Sequence, residues 1–211
     1  MHHTSQTVQR IISGGIIAII RTSSVDAART AALAIAAGGI DAIEVTMTVP
    51  GALDLLAELG RDHGDRLLLG AGTVLNPESA LAAIRAGARY IVSPHLNPRT
   101  VEMCLRHGVP SIPGCQTVTE AMTALEAGAD LVKLFPAGVL GPEYVKAVLA
   151  ALPQIPFVPT GGVGPHNAAA YIRAGAVAVG VGGELTRAGD AAAIAAVASE
   201  LVSAVREARA R

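Results

Sequence analysis

Six glycines constrain this chain more than any other feature. Gly38, Gly64, Gly87, Gly108, Gly128 and Gly175 each close a helical pattern, and an apolar run follows each within a few residues. Consecutive spacings are 26, 23, 21 and 20, and the last gap of 47 amounts to two units. Glycine just past a helix end takes the left-handed conformation that lets the chain turn back. A period of roughly 23 residues suits one strand plus one helix with short connections. The helix starts agree. Asn76-Pro77, Asn97-Pro98, Gly141-Pro142 and Gly164-Pro165 place proline at a first helical position, and Thr117 with Glu120 spells a capping box.

Strands are predicted near Ile16-Ile20, Ala42-Val45, Leu67-Ala71, Tyr90-Ser93, Pro110-Pro113, Leu131-Phe135, Phe157-Thr160 and Val177-Val181, with a helix after each. Eight such units in 211 residues predict an α/β fold, a single (β/α)8 TIM barrel domain over residues 1–211. A doubly wound open sheet is the alternative. Hydrophobic residues make up 51% of the chain and aromatics only 2%, so Ala, Val, Ile and Leu carry the core. Parallel strands buried on both faces need that mixture.

Charge and cysteine usage exclude several partners. The formal net charge is -1 with no basic stripe, which argues against nucleic acid. The longest uncharged stretch, Ala147 to Pro165, contains Pro153, Pro156 and Pro159 and is no membrane helix. The apolar run Ile11 to Ile20 is split by Ser13-Gly14-Gly15, so no signal peptide is expected and the location is read as cytoplasmic. Cys104 and Cys115 have no Cys or His at metal-ligand spacing, so no metal site and no cofactor is expected. There is no Walker A loop and no dinucleotide-type glycine turn after the first strand. His2 and His3 carry no weight in this reading.

In barrels of this type, catalytic groups gather at the carboxyl ends of the strands. Two ionisable residues are embedded in predicted strands there, Glu44 and Lys133. Lys133, one of only two lysines, interrupts the apolar run Leu131 to Pro136. An amine in an apolar setting is more readily neutral and can attack a carbonyl to form an imine. A neighbouring carboxylate can move the protons that imine chemistry requires. The alternative is a buried ion pair with no chemistry. The remaining strand ends offer Arg21, Thr73, Pro94, His95, Cys115 and Thr160. Gly161-Gly162 and Gly182-Gly183, after the last two strands, leave backbone N–H groups open to an anion such as a substrate phosphate. Asp41 and Asp130 fall at the opposite ends of their strands, where stability is the expected role.

Several stretches resemble a known family. Glu44-Val45-Thr46, Gly70 to Pro77 (GAGTVLNP), Ser93-Pro94, Ile112-Pro113-Gly114, Val132 to Ala137 (VKLFPA) and Pro159 to Val163 (PTGGV) resemble the 2-keto-3-deoxy-6-phosphogluconate and 4-hydroxy-2-oxoglutarate aldolases. The resemblance covers nearly the whole chain. It implies a class I aldolase in which Lys133 forms the Schiff base and Glu44 is the acid/base. It implies that Thr73 contacts the pyruvyl carboxylate and that Pro94 and Phe135 wall the pyruvyl pocket. Thr160 would contact the sugar chain, with Gly161, Gly162, Gly182 and Gly183 at the phosphate. The implied partners are a keto-acid sugar phosphate and pyruvate, and the implied assembly is a homotrimer.

Two departures stand out. Thr48 occupies a position where well-known members carry arginine, which makes Arg21 the substitute for binding the carboxylate. Gly183 replaces the usual serine of the phosphate loop and is followed by Glu184. Galactonate-specific relatives tend to carry valine where this chain has Thr160, so the gluconate epimer is the expected substrate and the galactonate epimer the alternative. A catalytically silent sugar-phosphate binding barrel is a second alternative. A phosphosugar epimerase or thiamin-phosphate synthase is a third, although neither accounts for Lys133.

Overall fold

The computed structural model describes residues 6–210, so His2 and His3 fall outside it. It is an α/β fold in which every strand pairing is parallel. The strands are β1 (Ile16–Ile20), β2 (Ala42–Thr46), β3 (Leu68–Gly72), β4 (Ile91–Val92), β5 (Ser111–Ile112), β6 (Gly114–Cys115), β7 (Val132–Leu134), β8 (Phe157–Pro159) and β9 (Val179–Val181). A six-stranded sheet runs in the order β5-β4-β3-β2-β1-β9, and a three-stranded sheet in the order β6-β7-β8. Near one seam, Thr160 bridges Gly180 and the Val177 N–H donates to the Phe157 carbonyl. At the other, β5 and β6 are separated by Pro113, whose carbonyl accepts from the Lys133 N–H.

At this break the strand predicted at Pro110-Pro113 is found as the short β5, and a second short segment, β6, follows beyond its predicted end. Proline has no N–H to give to a ladder, and the chain changes sheet partners at Pro113: β5 pairs with β4, and β6 pairs with β7.

Helices intervene as the repeat predicts. After α1 (Gln6–Gly14) come α2 (Val25–Ala37), α3 (Ala52–His63), α4 (Pro77–Arg85), α5 (Pro98–Arg106), α6 (Val118–Glu126), α7 (Ala137–Ala151), α8 (Ala168–Arg173), α9 (Gly183–Thr186) and α10 (Ala191–Arg209). Asn76 and Asn97 cap α4 and α5 ahead of their prolines, and the Thr117–Glu120 capping box opens α6. Of the other two expected starts, one holds and one shifts. Gly141, at φ 77°, kinks α7 and lets a second helical stretch begin at Pro142. Pro165 stays outside α8, which begins at Ala168. The helix-end glycines also need revision: Gly38 has φ -79°, and Gly39 takes the left-handed position instead. Gly38 is small for another reason, since a Cβ there would lie 2.4 Å from the Ala195 carbonyl oxygen on α10.

Alternation along the strands divides the core in two. Ile16, Ala18 and Ile20 face the helices, where they join one large cluster with Leu55, Leu56, Ile35 and Leu201. Ile17 and Ile19 face the other way and meet Ala42, Leu68, Tyr90, Val92, Ile112, Leu131, Val158 and Ala178. Side chains of successive strand residues point to opposite faces, so both faces of these strands are buried. Val8 and Ile11 of α1 join this second cluster and cover it at the amino ends of the strands. The Tyr90 ring fills part of that interior only because position 70 is glycine, where a Cβ would lie 2.3 Å from the ring.

Candidate active site

At the carboxyl ends of the strands, the same interior face turns from apolar to chemical. Glu44 on β2 and Lys133 on β7 are 2% and 7% exposed, so two charges lie where water barely reaches. Glu44 is in register with Gly70 on β3, and its carboxylate reaches on to Gly72. A Cβ at Gly72 would lie 1.7 Å from Oε1. That is far inside van der Waals contact, so the carboxylate occupies space that only glycine leaves free. Oε1 is buried without a hydrogen-bond partner. Burial therefore pushes the Glu44 carboxyl above the usual carboxylate range, against the opposing positive charges of Lys133 and Arg21. No direct ion pair joins Glu44 to Lys133 among the described residues, although the Lys133 charge acts on the carboxyl.

The Lys133 ammonium lies 5.3 Å from the centre of the Phe135 ring, within cation–π range. Both residues line a cavity of about 440 Å³, together with Pro94, Thr160 and the loops after β8 and β9. Ten of the eleven residues expected at the site from sequence line this cavity: Arg21, Thr73, Pro94, Lys133, Phe135, Thr160, Gly161, Gly162, Gly182 and Gly183. Glu44 does not. It is buried behind the lining, in the seat beside Gly72. His95 and Cys115 also lie outside the lining. Burial raises the Cys115 thiol to about 12, which keeps it protonated and unreactive at neutral pH.

Arg21 follows β1, and its guanidinium donates to the Thr73 hydroxyl at 3.0 Å. Thr73 has φ 56° and is the described residue other than glycine with a left-handed backbone. For a β-branched residue that conformation is strained, and such strain collects at functional sites. Thr48 is turned aside, hydrogen-bonded to the buried Thr46 hydroxyl at 2.9 Å. The Thr160 hydroxyl donates to the Val158 carbonyl at 3.1 Å, which leaves its lone pairs for a ligand's donor.

Gly161 and Gly162 have φ 84° and 76°, and their N–H groups donate to no acceptor among the described residues. Asn167 fixes this loop by donating to the Gly162 carbonyl at 2.8 Å and accepting from the Gly164 N–H at 3.0 Å. Arg187, which the sequence reading missed, lines the cavity beside Glu184. Its spacing of four from Gly183, one helical turn, was the available signal. Gly72 was visible as part of a motif, but its role as the seat of Glu44 was not. Among the described residues, no group of three or more His, Cys, Asp or Glu side chains could hold a metal ion. No helix there is long and apolar enough to cross a membrane.

Comparison with known proteins agrees with this geometry. The family model described as "Aldolase: KDPG and KHG aldolase" matches residues 8–199. The chain is 40% identical over 195 residues to the 2-dehydro-3-deoxy-6-phosphogalactonate aldolase of Escherichia coli, covering 92% of this chain and 95% of that one. It is 43% identical over 158 residues to the 2-dehydro-3-deoxy-phosphogluconate aldolase of Treponema pallidum, covering 74% and 75%. Among solved structures, it resembles a KDPG aldolase from Legionella pneumophila with pyruvate captured as a covalent carbinolamine. That match has a TM-score of 0.85 and 29% identity, over 94% of this chain and 99% of that one.

Proposed function

This chain belongs to the KDPG and KHG aldolase family, and from that premise we propose that it cleaves 2-dehydro-3-deoxy-6-phosphogluconate through an imine on Lys133. The products are pyruvate and glyceraldehyde 3-phosphate. The enzyme is an aldolase, a carbon–carbon lyase. One observation carries the assignment of roles: Lys133 is buried in the wall of the cavity, and Glu44, the one buried carboxylate among the described residues, lies in a seat that Gly72 keeps open.

The neutral amine of Lys133 attacks the C2 ketone, and the carbinolamine loses water to give an iminium. A base removes the C4 hydroxyl proton, the C3–C4 bond breaks, and its electron pair flows into the iminium. The aldehyde leaves and an enamine stays on Lys133. Protonation at C3 and hydrolysis then release pyruvate and restore the amine. Each proton needs a carrier whose two charge states are both accessible. Glu44 suits that role because burial raises its pKa, and its place behind the lining calls for a relaying water or hydroxyl. In this reading Arg21 and Thr73, hydrogen-bonded to each other, hold the carboxylate of the substrate, and the N–H groups of Gly161 and Gly162 receive its phosphate; that hydrogen bond and the left-handed glycines support it.

We also read the two sheets as a closed eight-stranded barrel forming one domain, and the assembly as a homotrimer. The pairings at both seams support closure. The gluconate epimer is favoured by Thr160, whose lone pairs can accept from a substrate hydroxyl. The galactonate epimer is the second reading, favoured by the Escherichia coli relative. Comparing kcat/KM on the two phosphorylated epimers separates them.

Incubation with pyruvate and borohydride tests the central proposal. A stable three-carbon adduct is expected on the peptide containing Lys133. Labelling confined to Lys146, or none, would refute the imine.

A further inference from the structure

The loop after β9 presents a charge that the rest of the molecule does not use. Among the described residues, Arg10, Arg29, Arg61 and Arg106 each hold a carboxylate. Arg21 holds Thr73, and Arg209 caps backbone carbonyls. The Arg187 guanidinium, like those of Arg66, Arg85, Arg89, Arg99, Arg173 and Arg206, makes no hydrogen bond or ion pair with any described residue, but of these seven only Arg187 lines the cavity of Lys133. Its guanidinium is instead laid over Gly183, where a Cβ would lie 2.7 Å from Nη2 and 2.9 Å from Cζ. Both residues line the cavity that also holds Lys133, on the side of Gly161 and Gly162.

We propose that Arg187 is the residue by which this enzyme selects a phosphorylated aldehyde portion of its substrate. The inference rests on the aldolase reading above and names the group that would recognise the far end of the same molecule. A guanidinium offers several N–H donors in a planar fork that matches phosphate oxygens, and its charge survives at any working pH. Glu184 in the same wall repels a phosphate dianion, so backbone N–H groups alone would face a carboxylate as well as their ligand. Arg187 offsets that repulsion. Gly183 leaves the backbone under the guanidinium uncovered.

The condensation direction gives a clean test, because pyruvate can be offered glyceraldehyde 3-phosphate or unphosphorylated glyceraldehyde. In Arg187→Ala, kcat/KM for the phosphorylated aldehyde should fall roughly tenfold or more, the loss of one charged hydrogen-bonding group at a solvent-exposed rim. The loss on glyceraldehyde should stay under about twofold, and Arg187→Lys should recover part of the discrimination. Equal losses on both aldehydes, or no loss on either, would overturn the proposal. Borohydride trapping of pyruvate on the same preparations keeps the two questions apart. Absence of the Lys133 adduct in the unmutated enzyme defeats the aldolase reading itself, whereas an intact adduct with no phosphate discrimination defeats only the role of Arg187.

Discussion

The two ends of the strands are built on opposite principles. At the amino ends, charges and backbone groups are matched. Arg10 pairs with Asp41 at 2.6 Å and also donates to the Arg66 carbonyl. Asp130 accepts from the Ser111 N–H, and Arg209 donates to the carbonyls of Ile12, Ser13 and Val177. Val8 and Ile11 close the apolar interior beneath them. At the carboxyl ends, the same strands leave their polar groups open. Among the described residues, Glu44 Oε1 and the Arg187 guanidinium have no partner, two glycine N–H groups donate to nothing, and Thr73 is held left-handed. An unmatched buried group costs stability; single hydroxyls are left unmatched at Tyr90, Thr100 and Ser111, but only at the carboxyl ends is the unmatched buried atom, among the described residues, that of a carboxylate beside a cavity. The difference teaches how to find a site in such a fold: look for the end where local rules are broken together.

The largest effect that would break this comparison is at Glu44. Glu44→Gln should lower kcat about 10²- to 10⁴-fold, the usual range for a lost proton carrier, and at neutral pH it should raise Tm. The sign follows from burial. A carboxyl whose pKa is raised by folding binds its proton more tightly in the native state than in the unfolded chain. The unmutated protein should therefore lose stability as pH rises from the ordinary carboxylate range through the raised value, and the glutamine variant should lack this slope. Thermal melts of both proteins across pH 4 to about 8 decide it. A Glu44→Gln protein that is both less active and less stable would place Glu44 among the structural residues.

Gly72→Ala is expected to come next. One methyl group placed where Oε1 now lies must move the carboxylate or the strand, and activity should fall roughly tenfold to a hundredfold from such a misplacement. Soaking pyruvate into crystals of the variant would show whether Glu44 has turned away. Wild-type activity with an unmoved carboxylate would mean that the seat is not required.

The smallest effect on catalysis should come from the opposite end. Arg209→Ala should cost about 1–3 kcal/mol in chemical denaturation, because three carbonyls lose a shared donor. Its kcat should remain within about twofold of the unmutated enzyme at a temperature where both are folded. A large loss of kcat there would show that the two ends are coupled and that the division drawn above is false.

Much of this was legible in the residues. Asn76 and Asn97 before proline, and Thr117 with Glu120, mark helix starts because capping is a local exchange of hydrogen bonds. Lys133 and Glu44 could be singled out because a charge inside an apolar strand is anomalous whatever surrounds it. The misplaced start of α8 and the right-handed Gly38 show where local rules stop. Gly38 is required by the approach of α10, more than 150 residues later in the chain.

The sequence by itself therefore determined the alternation of strand and helix, the helix caps, and the identity of the two buried residues of charged type, Glu44 and Lys133. Each depends on neighbours a few positions away, through periods of 2.0 and 3.6 residues. Tertiary structure decided the rest. The register of β2 on β3 seats the Glu44 carboxylate over Gly72, and Pro113 hands the chain from one sheet to the other. Packing also put Glu44 behind the cavity wall and Arg187 on it. These are meetings between groups brought together by strand pairing and helix packing, and no local period encodes which side chains will meet across a sheet.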